Sequence, residues 1–443
     1  MADGTGLALT RDTPASVLRD VVFLSRETGT ESVLATHSHA AALRFEGATL
    51  LVFEAVETSF DPNFAAQLLA WQAPAIGLTQ LAIAVDPGSL HASRDGRWLS
   101  IEANDQAEDR VRTVELVLVD LTDLSRLSLG MLDQARARFT RDSSALVFSG
   151  YEAGCHATVA RSLLDGSTHQ VACVSAAEMY PTRWELSADS QWLVHLQNRD
   201  RFDLMRTALT GDSAEILAEG VTSSPGKEFD IAHGGDSVAF LRVSSSLNDS
   251  LFAIPWPASA GGSSPSTADE SLLVAGDVTS IVEHYEELVL YRHFPTRDPN
   301  LLVDRCEERL GAVSLLDGQV HDLGPFADET ACSPSAAAVL DEAHGGLLVR
   351  GSDRALRWLP GPAQSPIHLA CDVLDAKFVS GGRVLFSTGP GASLLLYDPK
   401  TGVISQVLPE LTGPFLVDPV SDSLFLTTIP SGAGSTLIRA SLP

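Results

Sequence analysis

Positive charge is scarce in this sequence. Its 443 residues hold 30 Lys and Arg against 57 Asp and Glu, a formal charge of −27, and three of those bases, Lys227, Lys377 and Lys400, are lysine. A chain so poor in bases lacks the basic face that nucleic acid or an anionic membrane surface requires, so neither is expected as a partner. Long apolar runs are missing as well. Stretches such as residues 114–120 break off far short of the roughly 20 residues of a spanning helix, so no transmembrane segment is expected. No apolar pattern of helical period outlasts a turn or two, which argues against a helical fold. Hydrophobic residues still make up 44% of the chain, enough to exclude a disordered polypeptide.

A repeat stands where helices do not. Aspartates 95, 142, 189 and 236 each sit in a Ser/Thr-x-Asp-like segment: Ser93–Leu99, Thr140–Leu146, Ser187–Leu193 and His233–Ala239. Each interval is 47 residues, and self-similarity at such a period marks a repeat architecture. Asp accepts hydrogen bonds from the amides just ahead of it, and a following Gly or Ser tolerates the turn. Alternating residues precede each turn and an apolar run follows it, so each motif reads as strand a, turn, strand b. A second hairpin follows, strands c and d, as in residues 157–163 and 169–174 about Asp165-Gly166, or 394–398 and 403–408 about Lys400-Thr401-Gly402.

Four antiparallel strands per 40–50 residues is the unit of a β-propeller blade. Weaker copies around Glu46, His284, Glu342, Gly381 and Asp422 bring the a–b hairpins to nine. The expected fold is all-β: one closed β-propeller over residues 1–443, of eight or nine blades, with a literal count of nine. Residues 1–16 are expected to be a flexible N-terminal segment. The hairpin at 17–39 is expected to complete the last blade together with 414–443, which removes the open edges of the ring.

The Ser/Thr-x-Asp-Gly/Ser-x-Trp-Leu segments resemble the WD40-like propeller repeats of the TolB family, also found in prolyl oligopeptidases. The resemblance covers residues 88–276 strongly and the rest of the chain weakly. It implies the propeller and leaves the activity open. TolB proteins carry an α/β domain ahead of the propeller, whereas about 40 residues precede the first full repeat here. Oligopeptidases carry a hydrolase domain, and this chain has no Gly-x-Ser-x-Gly elbow.

Five cysteines bear on the compartment. Cys155 opens strand c of its blade and Cys173 lies at the end of strand d, two points that adjacent strands bring to one end of a sheet. Cys306 and Cys332 bracket another c–d hairpin in the same relation. Two candidate disulfides predict an oxidising, extracytoplasmic location. Cys371 is left over, to pair with Cys332 or to stay reduced. The polar start of the chain is no signal peptide, so an export segment is expected to have been removed.

In a propeller the b–c loops share one face, and here they are long and polar. The candidate binding residues on them are Asn104, Asp105, Glu108, Asp109, Asn198, Arg199, Asp200, Asn248, Asp249, Arg297 and Asp298. Variable loops on a rigid ring commonly serve recognition. The acidic group at 104–109 has the oxygen density of a Ca²⁺ site but not the spacing of a known loop, so no cofactor is expected. His37 and His39 are two imidazoles, fewer than a zinc site needs. Trp98 and Trp192 recur at one blade position whose other occupants are Ala145 and Val238, a pattern of packing more than of sugar stacking. The expected function is a non-catalytic scaffold that binds a protein partner outside the cytoplasm. The alternatives are a hydrolase or lyase at the channel mouth, whose residues need leave no linear motif, and a carbohydrate or Ca²⁺ binder.

Overall fold

The computed structural model describes residues 6–12, 19–25, 27–38, 40–46, 48–55, 66–72, 78–85, 89–103, 113–133, 136–152, 155–175, 184–198, 202–222, 228–232, 235, 237–243, 249–256, 272–285, 287–293, 308–325, 338–343, 346–351, 354–361, 364–389, 393–409, 415–418, 423–428 and 436–441. They form β-strands joined by turns, with a 3-10 turn at Ser380–Gly382. Every strand pairing is antiparallel and links sequence neighbours or near neighbours. All nine a–b hairpins read from the sequence are paired strands, from Ala40–Glu46 with Thr49–Ala55 to Phe415–Asp418 with Ser423–Thr428. No described helix is long and apolar enough to cross a membrane.

The chain divides into two compact units, residues 1–198 with 205–215, and 199–204 with 216–443. In the first, strands Ala137-containing Arg136–Phe139, Ala145–Glu152, Cys155–Ser162 and Thr168–Ser175 make one four-stranded sheet. In the second, Val373–Val379, Arg383–Thr388, Leu394–Asp398 and Val403–Leu408 make another. The inner strands of these sheets bury both faces against neighbouring sheets of the same unit. Leu116 and Leu118 of one sheet meet Ala137, Leu146 and Phe148 of the next. Trp184 and Leu193 meet Val147, Ala160 and Val171. Leu348 and Leu356 meet Val373, Phe386 and Tyr397.

The N-terminus departs from expectation. Gly6–Asp12, expected to be flexible, is a strand paired with Arg19–Ser25 along its whole length. Its Gly-Leu-Ala-Leu-Thr run alternates, and Ala8 packs beside Val21 and Leu50. The hairpin at 17–39 is therefore part of a three-stranded sheet, and the C-terminal strands at 415–441 form a second one.

The a–b turns show what the repeated aspartate does. Trp98 N donates to Ser93 Oγ (2.8 Å) and Arg97 N to Asp95 Oδ1 (3.1 Å), while Gly96 N closes the turn on Ser93 O (2.9 Å). Ala145 N on Thr140 Oγ1 (2.9 Å) and Ser144 N on Asp142 Oδ1 (3.1 Å) repeat the pattern, as do Trp192 N on Ser187 Oγ (3.0 Å) and Gln191 N on Asp189 Oδ1 (3.1 Å). The residue after each aspartate is left-handed: Gly96 (φ 70°), Ser143 (φ 58°) and Ser190 (φ 58°). In the fourth turn that place falls on Gly235 (φ 78°), whose amide meets Ala232 O at 2.7 Å. The turn spacing is thus 47, 47 and then 45 residues, so Asp236 is not the counterpart of Asp95; it lies outside the described residues.

Serine is a costly choice for a left-handed position, and the next sheet explains it. Ser143 Oγ accepts the amide of Asp95 (3.1 Å), and Ser190 Oγ accepts the amide of Arg141 (2.6 Å). Each serine ties its own turn to the preceding one. Ser143→Ala is expected to destabilise the chain by about 1 kcal/mol through that lost bond. Ser143→Gly loses the bond but relieves the strain, so it should lie closer to wild type. Urea unfolding of the two variants tests this; an alanine variant as stable as wild type rules the latch out.

Candidate functional site

The b–c end of the sheets is the face to which the sequence assigned binding. Of its candidate residues, Asp249 opens strand Asp249–Pro255, where it pairs with Val243 and Val278, and Asn198 closes strand Trp192–Asn198. Asn104, Asp105, Glu108, Asp109, Arg199, Asp200, Asn248, Arg297 and Asp298 lie outside the described residues, as do Cys306 and Cys332. The strands that carry these loops are described, and they fix where the loops leave the sheets.

Cys155 and Cys173 are bonded, with Cα atoms 5.7 Å apart. Register puts Cys155 opposite Glu152 and Ser175, and Ala157 opposite Cys173. The bridge therefore spans strands c and d at the end of the sheet where the b–c connection turns. Cys371 is free and exposed, its Sγ 3.5 Å from His368 Nε2.

Two polar clusters sit at the same end of other sheets. In the first unit, Glu54 near the end of strand b accepts from Ser38 Oγ (2.8 Å) and from Gln67 Nε2, while Gln80 Nε2 donates to Gln67 Oε1 (2.9 Å). Glu54, Gln67 and Gln80 link three neighbouring strands of one sheet, and Ser38 joins them from the last strand of another.

The second cluster, in the other unit, forms the base of the loop at 294–307. Arg292 nears the end of strand Leu288–His293, and Glu308 precedes strand Arg309–Ser314. Glu308 accepts from Thr279 Oγ1 (2.5 Å) and faces Arg292 Nη1 at 3.5 Å, while Arg292 Nε donates to Ser280 Oγ (2.5 Å). Beside them Arg309 clasps Asp322 through Nε (3.0 Å) and Nη2 (2.6 Å), a cross-strand fork. Burial raises the Asp322 carboxyl, but the Arg309 guanidinium and the Gly324 amide outweigh it and hold the group below its ordinary value. Tyr291 lies over Gly311, which a side chain could not replace: a Cβ there would stand 2.7 Å from the ring. Burial, and then the Asp322 charge, push the Tyr291 phenol up to about 12. The cluster thus holds two arginine–carboxylate pairs beside a phenol that keeps its proton more tightly than usual. Charge-assisted pairs of this kind brace the strand ends that they join.

This cluster was only partly visible beforehand. Its polar loop, at Arg297 and Asp298, stands out in the sequence. The Arg309–Asp322 fork does not, because it depends on which residues face each other across strands 13 positions apart. Among the described residues no group of three or more His, Cys, Asp or Glu is arranged to hold a metal. Trp98 and Trp192 each lie under a guanidinium, Arg97 at 4.7 Å and Arg206 at 4.4 Å. Those arginines bond Asp120 and Glu215, so each ring is covered by a fixed ion pair.

One buried imidazole lies away from this end. His195 Nε2 meets Thr207 Oγ1 at 3.0 Å, and burial pushes the ring down to about 4. Its unfolded value is near 6.5, so between these values the unfolded chain binds the extra proton. Stability contributed by neutral His195 is full above pH 6.5 and is lost as pH falls toward 4. His195→Gln is expected to flatten the stability curve in that window, as read by urea unfolding at stepped pH. An unchanged slope sinks the assignment.

No protein-family profile matches the chain, and no curated protein matches it. Among solved structures, the chain is similar to TolB from Acinetobacter baumannii, at 11% identity over 72% of this chain and 79% of that one, with a TM-score of 0.37. It is similar to a eukaryotic initiation factor, at 11% identity over 82% and 89%, with a TM-score of 0.46. It is also similar to a puromycin-hydrolyzing peptidase of Mycobacterium tuberculosis, at 12% identity over 79% and 56%, with a TM-score of 0.41. The chain spans about half the length of that peptidase.

Proposed function

We propose that the chain is a β-propeller of eight or nine blades that binds a protein partner outside the cytoplasm through its b–c loop face, without catalysis. The nine paired a–b hairpins support the blade reading. The observation that carries the binding reading is the Cys155–Cys173 bridge, which ties strands c and d at the end that bears the b–c loops. A covalent tie there stiffens a loop platform, and it belongs to an oxidising compartment. The compensated Arg292–Glu308 and Arg309–Asp322 pairs brace another loop base at the same strand ends. Loops mounted on rigid elements are suited to recognition.

The test is capture from envelope and secreted fractions. The wild-type chain is expected to retain a reproducible protein, and charge reversal at Arg199 and Asp200, or at Arg297 and Asp298, is expected to cut capture at least about tenfold, the effect of losing roughly 1.4 kcal/mol. No reproducible partner, or equal capture by both loop variants, overturns the proposal.

A further inference from the structure

Unpaired sheet edges are a hazard that proteins manage with charged side chains, proline, bulges or a cover. The described strands form seven sheets, which present fourteen end strands. Thirteen carry at least one titratable side chain: Glu185 in Trp184–Leu186, Asp322 in Val320–Pro325 and Arg439 in Thr436–Ser441 are examples. The remaining one, Val403–Leu408, reads Val-Ile-Ser-Gln-Val-Leu and carries none.

Among the described residues this strand pairs on one side alone, with Leu394–Asp398. Residues 403–406 are exposed on both faces of the sheet, Val403 at 56% and Ile404 at 43%. Charge around it is also unlike the rest of the chain. Residues 373–408 hold Asp375 and Asp398 against Lys377, Arg383 and Lys400, including two of the three lysines in a chain of 57 acids and 30 bases. Here a second acidic copy can approach without local repulsion.

We propose that this edge pairs with the same strand of a second copy, antiparallel, joining two four-stranded sheets into one of eight. An isologous contact of this kind is self-complementary. With the two-fold axis at Ser405, Val403 of each copy faces Val407 of the other, a β-branched cross-strand pair, and Ile404 faces Gln406. A six-residue edge buries less than a standard interface, so the dimer is weak, with a Kd of about 10–100 μM. Each copy carries −27, so salt, which screens the long-range repulsion, strengthens the association.

Sedimentation equilibrium of the full chain at low and high salt tests this. Wild type is expected to dimerise, more at high salt, and Ile404→Lys and Ser405→Pro to stay monomeric with an unchanged circular dichroism spectrum. A second measurement does not depend on those variants folding. In a Cys371→Ser background, Ser405→Cys is expected to form an intermolecular disulfide on oxidation, because facing residues of an antiparallel pair have Cα atoms about 4.5–5.5 Å apart. Leu164→Cys in the same background, at a fully exposed turn, is expected not to. A wild type that stays monomeric, a dimer that weakens with salt, a dimer that Ile404→Lys leaves intact, or no Ser405→Cys cross-link in a dimer each overturns the proposal.

Discussion

Replacing Trp184 by alanine is expected to lower the unfolding free energy by about 3–5 kcal/mol. Trp184 is fully buried, among Val147, Ala160, Val171 and Leu193, so it fills the seam between two sheets of the first unit. Arg136 closes one side of the indole at 5.2 Å and is itself held by Glu185 at 2.8 Å. Truncation loses the transfer energy of the ring and leaves a cavity that two rigid sheets collapse into poorly. Trp184→Phe keeps most of the volume and should cost clearly less. Urea unfolding of both variants checks the ranking. An alanine variant within about 1 kcal/mol of wild type removes Trp184 from its place as the seam's anchor.

Removal of the Cys155–Cys173 bridge is the second large effect. The cysteines are 18 residues apart in sequence, and closing a loop of that size is worth about 3 kcal/mol in the chain-entropy account. Cys155→Ala/Cys173→Ala should lose that much, and reductant should destabilise wild type but not the double variant at this site. Thiol titration completes the test. Denatured, unreduced wild type is expected to show one reactive thiol, Cys371, and five after reduction. Three thiols without reductant remove the Cys306–Cys332 pairing alone. Five remove both bridges and, with them, the extracytoplasmic location.

Much of the architecture could be read from the residues. The a–b hairpins announced themselves because one hydrogen-bonding side chain, Asp or its Ser/Thr partner two places earlier, must sit at a fixed offset for the turn to close. The Cys155–Cys173 bridge was legible because strand polarity alone puts both residues at one end. The error at Asp236 has the same physical root: an aspartate recurs at 47, but the turn belongs to the residue that takes the left-handed conformation, Gly235. The strand at Gly6–Asp12 was missed because five alternating residues beside polar neighbours look alike whether paired or not; its partner, Arg19–Ser25, decides. The candidate site was legible in part only. Polar loops stand out by composition, whereas the ion pairs beneath them depend on cross-strand register, which bulges such as the one between Arg309 and Gly311 shift.

The serine latches also have a direction. The amide of Asp95 reaches forward to Ser143, and that of Arg141 forward to Ser190. On a ribosome the earlier turn is made first, its free amide bonded to water, until the next repeat has emerged about 48 residues later. Each repeat is thus certified by its successor, so a chain truncated within this run ends on a turn whose last check never comes.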